Sequence, residues 1–150
     1  MNHPTLDQTR AFIRKAHAGQ VDKAGKSYHL HPEAVEARLG ADASEEDRHI
    51  ALLHDVIEDT ANTAADLLAM GYSAHIVASV ALLSRPEGEG SQSYMDWIRS
   101  IAASGNRSAI RVKIADNEEN LSPERVAQLP PEQRDIVRRY ERSLKVLRGA

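Results

Sequence analysis

Read for the spacing of its apolar residues, the chain is a succession of short amphipathic helices. Leu6, Phe12, Ile13 and Ala16 mark a first helix over 6–18, which Gly19 stops. Residues 20–30 show little periodicity and read as a loop. Pro32 opens a short helix over 33–39, closed by Gly40. Ser44, with Asp47 three residues on, has the form of an N-terminal cap, and the helix it starts is expected to run to Asp59. Thr63 opens a helix over 64–70 that Gly71 ends. Residues 74–83 are apolar nearly all round and are expected to form a buried central helix. Residues 85–92, with Pro86, Gly88 and Gly90, read as a loop, after which Ser93 caps a helix over 94–103. Ile110, Val112 and Ile114 alternate as in a strand, but no second strand is available, and a lone strand leaves its backbone groups without partners. A helix over 107–120 is therefore expected. Pro130 and Pro131 start the last helix, in which Ile136, Val137, Tyr140, Leu144 and Leu147 share one face. The fold class that follows is all-α, a single-domain helical bundle over 1–150.

Composition narrows what such a bundle can do. There is no cysteine, which removes disulfides, iron–sulfur clusters and thiolate chemistry and suits a reducing, cytoplasmic setting. The net charge of −3 gives no broad basic field for DNA or RNA, and six aromatic residues are too few for a base-stacking platform. No apolar run approaches the ~20 residues of a membrane span, and the N-terminus lacks the build of a signal peptide. Neither nucleic acid nor membrane is expected as a partner.

Three segments hold the candidate chemistry. In the first, 50–60, Ile50, Leu53 and Ile57 form an apolar stripe that His54 and Asp55 interrupt. On a continuous helix His54, Asp55, Glu58 and Asp59 share one face. An ionisable pair inside an apolar stretch costs several kcal/mol unless it is paired or bound to a metal, and three close carboxylates repel unless a cation or protons compensate. The segment reads either as a solvated acidic helix end with a satisfied histidine or as half of a metal site. The second segment supplies His29 and His31 and the third Asp116, which are ligand types suited to Mn²⁺, Fe²⁺, Zn²⁺ and, less well, Mg²⁺. His17, with Gln20, is either a residue that orients a ligand or a histidine at a helix end. His3, His49 and His75 stand in no motif and read as surface or satisfied structural residues. Arg85 could reach a phosphate or stand exposed in its loop, and the basic run over 134–145 reads as the solvated face of the last helix.

The order of these blocks, AHAGQVDKAGKSYHLHP, LLHDVIEDT and VKIADNEEN, resembles the HD-domain metal-dependent phosphohydrolases, and more closely the hydrolase domain of the Rel/Spo-type enzymes and the small stand-alone alarmone hydrolases. That resemblance implies a helical bundle that removes the 3′-pyrophosphate of (p)ppGpp, a small-molecule nucleotide, with a divalent metal, most often Mn²⁺. By position it makes His31, His54, Asp55 and Asp116 the metal ligands. It makes Glu58 and Asp59 the acidic pair that orients or deprotonates water. Lys23, Tyr28 and Asn120 then match residues at the substrate. Asp22 stands where the alarmone hydrolases carry an arginine that packs on guanine, Ser27 where they carry proline, and Ser122-Pro123 where they carry a basic residue and threonine. These departures touch the part that reads the base. They admit a phosphohydrolase for a different nucleotide or phosphoester, or a non-catalytic nucleotide-binding module, as alternatives.

Overall fold

The order of caps along the chain explains the order of helices. In this computed structural model, which describes residues 3–22, 25–86 and 90–150 and, of Ser91, only the backbone, α1 (Leu6–Ala16) starts at Thr5, whose hydroxyl accepts from the Gln8 N–H while the Gln8 side chain accepts from the Thr5 N–H. α2 (Leu30–Arg38) follows a small hairpin in which Val21 and Ser27 form an isolated antiparallel bridge. Its turn needs a glycine, since Gly25 has φ +80°. α3 (Glu45–Leu53) is capped by Ser44 and α4 (Val56–Asp59) is a single turn. α5 (Ala64–Ala69) carries a reciprocal Thr63–Asp66 capping box, and α6 (Ala74–Leu82) is capped by Ser73. α7 (Gly90–Ala103), α8 (Arg107–Asn120, capped by Asn106), α9 (Pro123–Ala127, capped by Ser122), a 3₁₀ turn at Pro131–Gln133 and α10 (Asp135–Arg148) complete the chain. Among the described residues every named element is helical, and no helix is long and apolar enough to cross a membrane.

α8 is the axis of the bundle. It packs against α2, α3, α6, α7, α9 and α10, and α3 in turn packs on α1, α2 and α6. The interior between them is filled by Ile13, Ile50, Leu52, Leu53, Ile98, Ile101 and Val112, all without exposed area. Each such side chain contributes roughly 1.5–3 kcal/mol on burial. Arg107–Asn120 is thus a helix despite its strand-like alternation.

Several boundaries differ from the sequence expectation, each for a local reason. The helix expected over 45–59 breaks at His54–Asp55, because the His54 ring takes the Ala51 carbonyl (Nδ1 to O, 2.6 Å) and Asp55 leaves helical geometry at φ −102°, ψ 0°. α2 begins two residues before Pro32. α6 is buried on one side only: Ala74, His75, Ala78 and Ala81 face outward, and the three alanines are small enough that an apolar sequence still presents a modest apolar surface. α7 starts at Gly90, before Ser93. Ser122 and Pro123 start a helix, α9, that the sequence reading left out; proline at the first position and serine at the cap are its local cause. The last helix begins at Asp135, after the 3₁₀ turn, not at the proline pair.

Candidate active site

The break after α3 puts chemistry where the core would otherwise continue. His54 is buried at the end of α3, His31 in the first turn of α2 and Asp116 on α8, and one ligand atom from each lies within 4.8 Å of the others. His31 Nε2 is 2.9 Å from Asp116 Oδ1. His54 donates from Nδ1 to the Ala51 carbonyl, which leaves Nε2 facing inward. That Nε2 lies 3.1 Å from Asp55 Oδ2 and 3.6 Å from Asp116 Oδ1, yet it is buried and hydrogen-bonds to neither. His31 Nδ1 is likewise buried without a partner.

The electrostatics follow from this crowding. Burial alone would raise Asp116, but the Lys113 ammonium, 2.8 Å from its Oδ2, and the two histidines hold it well below the usual carboxylate range. Burial disfavours a charged His54, but Asp55 and Asp116 outweigh it and hold the imidazole well above its ordinary value. Burial also works against ionised Asp55, yet the charge of His54 pulls it below the usual range. A backbone-tethered histidine, a second histidine and an aspartate in an acidic surround are donors suited to a divalent metal, so this buried His/Asp group could hold one.

Around the cluster opens a cleft of about 460 Å³. The Tyr28 hydroxyl donates to Asp55 Oδ2 at 2.7 Å, and burial with the nearby Asp55 charge keeps that phenol protonated. Asn120 Nδ2 reaches Asp116 Oδ1 at 3.4 Å. Glu58 accepts from the Arg85 backbone N–H at 2.5 Å at the rim. Asp59 is exposed; partial burial of its carboxyl and the charges of Asp55 and Glu58 push it up to about 6. One wall of the cleft is cationic. Arg85 and Arg139 lie 5.2 and 4.9 Å over the Tyr94 ring, and Lys113 lies 4.5 Å over Trp97.

Of the expected ligands, His31, His54 and Asp116 meet in one cluster, while Asp55 adjoins it with its carboxylate shared between Tyr28 and His54. Glu58, Asp59, Tyr28 and Asn120 stand at or beside the cleft, but the four residues of the 54–59 segment do not form one helical face, since His54 points into the core and Glu58 and Asp59 outward. Lys23 lies outside the described residues, as do 87–89 of the 85–92 loop. Asp22 lines the cleft, its Oδ1 accepting from the Lys26 N–H at 3.0 Å and its Oδ2 lying 3.9 Å from Arg125. His17 stands at the end of α1, as its C-terminal cap residue, and is buried there. His49 is buried and bonded to Thr9, and His3 and His75 each have a partner. Lys113 and Tyr94 were not singled out by the sequence, although Lys113 is part of the VKIAD block. Arg139 departs from the solvated face assigned to its run, because α7 brings Tyr94 beneath it.

No family model matches the chain. A GTP pyrophosphokinase of Myxococcus xanthus is 32% identical over 153 residues, which take in 89% of this chain and 20% of that protein. A guanosine-3′,5′-bis(diphosphate) 3′-pyrophosphohydrolase of Vibrio cholerae is 44% identical over 80 residues, 52% of this chain and 10% of that one. The chain thus spans a fifth or less of the length of these curated relatives. A solved structure described as a metazoan ortholog of SpoT that hydrolyzes ppGpp shares the fold at a TM-score of 0.82 and 22% identity, over 99% of this chain and 89% of that one. In sequence and in fold, the chain is an HD-type domain of the Rel/Spo kind.

Proposed function

We propose that the chain is a metal-dependent phosphohydrolase that removes the 3′-diphosphate of (p)ppGpp. The observation that carries this reading is the buried His31–His54–Asp116 cluster, with Asp55 beside it, next to a cleft that His31, Asp55 and Asp116 line and that has a cationic wall. His31, His54 and Asp116, with Asp55 beside them, would hold the metal, and Mn²⁺ is the ion this reading favours. When bound, such an ion supplies positive charge at a phosphoryl oxygen and lowers the pKa of water. The rest falls to the chain itself. Lys113, Arg85 and Arg139 offer charge to a polyphosphate that no part of the acidic rim could bind. Tyr28 donates to Asp55 and fixes that carboxylate. Asp59, with its value raised to about 6, is matched to accepting the proton of an attacking water near neutral pH, and Glu58 stands beside it. Lys23 and Asn120 are assigned to the nucleotide by the resemblance already described.

The test is product analysis of Mn²⁺-loaded protein with ppGpp. Release of pyrophosphate rather than orthophosphate is expected, lost in excess EDTA and in His54→Ala. Equal turnover in EDTA would sink the reading. A second reading, the same chemistry on a different nucleotide, is favoured by Asp22, a carboxylate in the cleft that repels phosphate. It predicts that Asp22→Arg raises ppGpp affinity; an unchanged affinity would remove Asp22 from the question of substrate.

A further inference from the structure

Gln20 ties together three segments on which the cleft depends. Its amide nitrogen donates to the Asp59 carbonyl oxygen at 2.9 Å. A carbonyl only accepts, so this contact fixes which end of the amide carries the hydrogens. The amide oxygen then faces His17 Nδ1 at 3.1 Å and must accept from it, which puts the histidine's proton on Nδ1. His17 is buried, and its ring centroid lies 5.0 Å from that of Tyr28. The main chain of Gln20 adds two further ties: its N–H donates to the His17 carbonyl at 3.0 Å, and its carbonyl accepts from the Tyr28 N–H at 3.0 Å. One residue therefore joins the end of α1, the hairpin that leads to Tyr28 and His31, and the end of α4.

The element that needs tying is α4. It has 4 residues, a single turn cut off from α3 by Asp55. Helices this short do not hold alone, since isolated ones need roughly 12–15 residues. The last carbonyls of a helix have no partners within it. Here the Val56 carbonyl accepts from both the N–H and the hydroxyl of Thr60, at 3.1 and 2.6 Å, and the Asp59 carbonyl accepts from Gln20. Glu58 and Asp59 ride on this turn and are exposed; buried Val56 anchors its start and the Arg85 N–H holds Glu58, which leaves Gln20 as the tie at the Asp59 end.

We propose that Gln20 is a positioning residue: its amide, oriented by His17, clamps the turn Val56–Asp59 so that Glu58 and Asp59 keep their place beside the His31–His54–Asp116 cluster. The kinetic side of this inference rests on the function proposed above; the clamp itself is a property of the fold.

Two variants test it. Gln20→Glu keeps the size of the side chain but cannot donate to the Asp59 carbonyl as a carboxylate. Gln20→Met removes both side-chain bonds without adding charge. Amide hydrogen exchange is followed in the metal-free protein at residues 56–60 and in α8, and kcat and KM are measured for Mn²⁺-dependent pyrophosphate release. In both variants exchange at Asp59 and Thr60 should quicken about tenfold while α8 stays unchanged. kcat should fall about 10- to 100-fold, with KM within about twofold of the parent. Unchanged exchange at 56–60, or an equal rise in α8, overturns the clamp. Quicker exchange with unchanged kcat overturns the positioning role. A parent protein that releases no pyrophosphate counts against the proposed function alone, and the exchange measurement then decides the clamp.

Discussion

Two buried histidines on the same helix end up with opposite fates. His49, in the middle of α3, has its Nδ1 2.9 Å from the Thr9 hydroxyl, which in turn meets the Tyr72 hydroxyl at 2.6 Å, and the Tyr72 ring stands edge-on 5.7 Å away. The carboxylate nearest its ring, Glu45, is mostly exposed and 3.6 Å from Nε2, and burial pushes the imidazole below its ordinary value. His54, five residues later, is just as buried, but its Nε2 faces the carboxylates of Asp55 and Asp116 at 3.1 and 3.6 Å and the imidazole is pushed the other way. Burial of a histidine therefore carries no functional message. The message lies in whether the neighbours meet it with uncharged hydroxyls, as around His49, or gather charged groups, as around His54.

The contrast can be broken most forcefully by truncating both residues. On the function proposed above, His54→Ala should lower Mn²⁺-dependent pyrophosphate release by about 10³-fold or more, as the loss of a proposed metal ligand. His49→Ala should keep kcat and lower stability by about 1–3 kcal/mol, the usual cost of leaving buried hydroxyls unsatisfied. Denaturant titration and steady-state kinetics on the two variants check this, and comparable loss of turnover in both would erase the distinction. A second test acts on the charge around His54. Lys113→Met leaves the buried Asp116 carboxylate without its ammonium, which should cost about 3–5 kcal/mol in urea unfolding of the metal-free protein. A bound divalent ion should return part of that loss, so added Mn²⁺ should stabilise the variant more than the parent; equal stabilisation would mean that the ion does not sit beside Asp116.

The smallest expected effect concerns pH. The folded-state value of His49 is depressed by burial, so in acid the unfolded chain takes up a proton that the folded protein refuses. This contribution is intact above an unfolded value of ~6.5 and is lost as pH falls through the folded value, at up to about 1.4 kcal/mol per pH unit. His49→Gln should flatten this part of the profile below pH ~6.5. A slope as steep as the parent's would assign it to other groups.

What the sequence could show differed between these regions. The helical nature of 107–120 followed from a negative argument, the lack of any strand to pair with Ile110, Val112 and Ile114, and it held. His54 and Asp55 were visible because an ionisable pair is costly in an apolar stretch; His31 and Asp116 stood out only as ligand types and through the order of the three blocks. The break at His54–Asp55 was not, because the apolar rhythm of Ile50, Leu53 and Ile57 runs through it without a change of period. Its cause is the His54 ring on the Ala51 carbonyl, a bond no spacing rule reports. α9 had a local signature, serine then proline, but those residues drew notice only as departures from a known pattern. Arg139 was indistinguishable from its solvated neighbours on α10, since only the packing of α7 against α10 gives it an aromatic ring to lie on.

The position of Trp97 gives the protein a built-in optical reporter. It is the chain's one tryptophan, it lines the cleft, and its indole N–H is fixed on the Leu82 carbonyl at 3.0 Å. The ammonium of Lys113 lies 4.5 Å over its ring and also holds Asp116. All indole emission from this protein therefore comes from a single fluorophore whose local field is set by the lysine beneath the site. A cation that draws on Asp116 changes the pull on that lysine and, through it, the colour and yield of the emitted light, so occupancy of the centre is readable without a label.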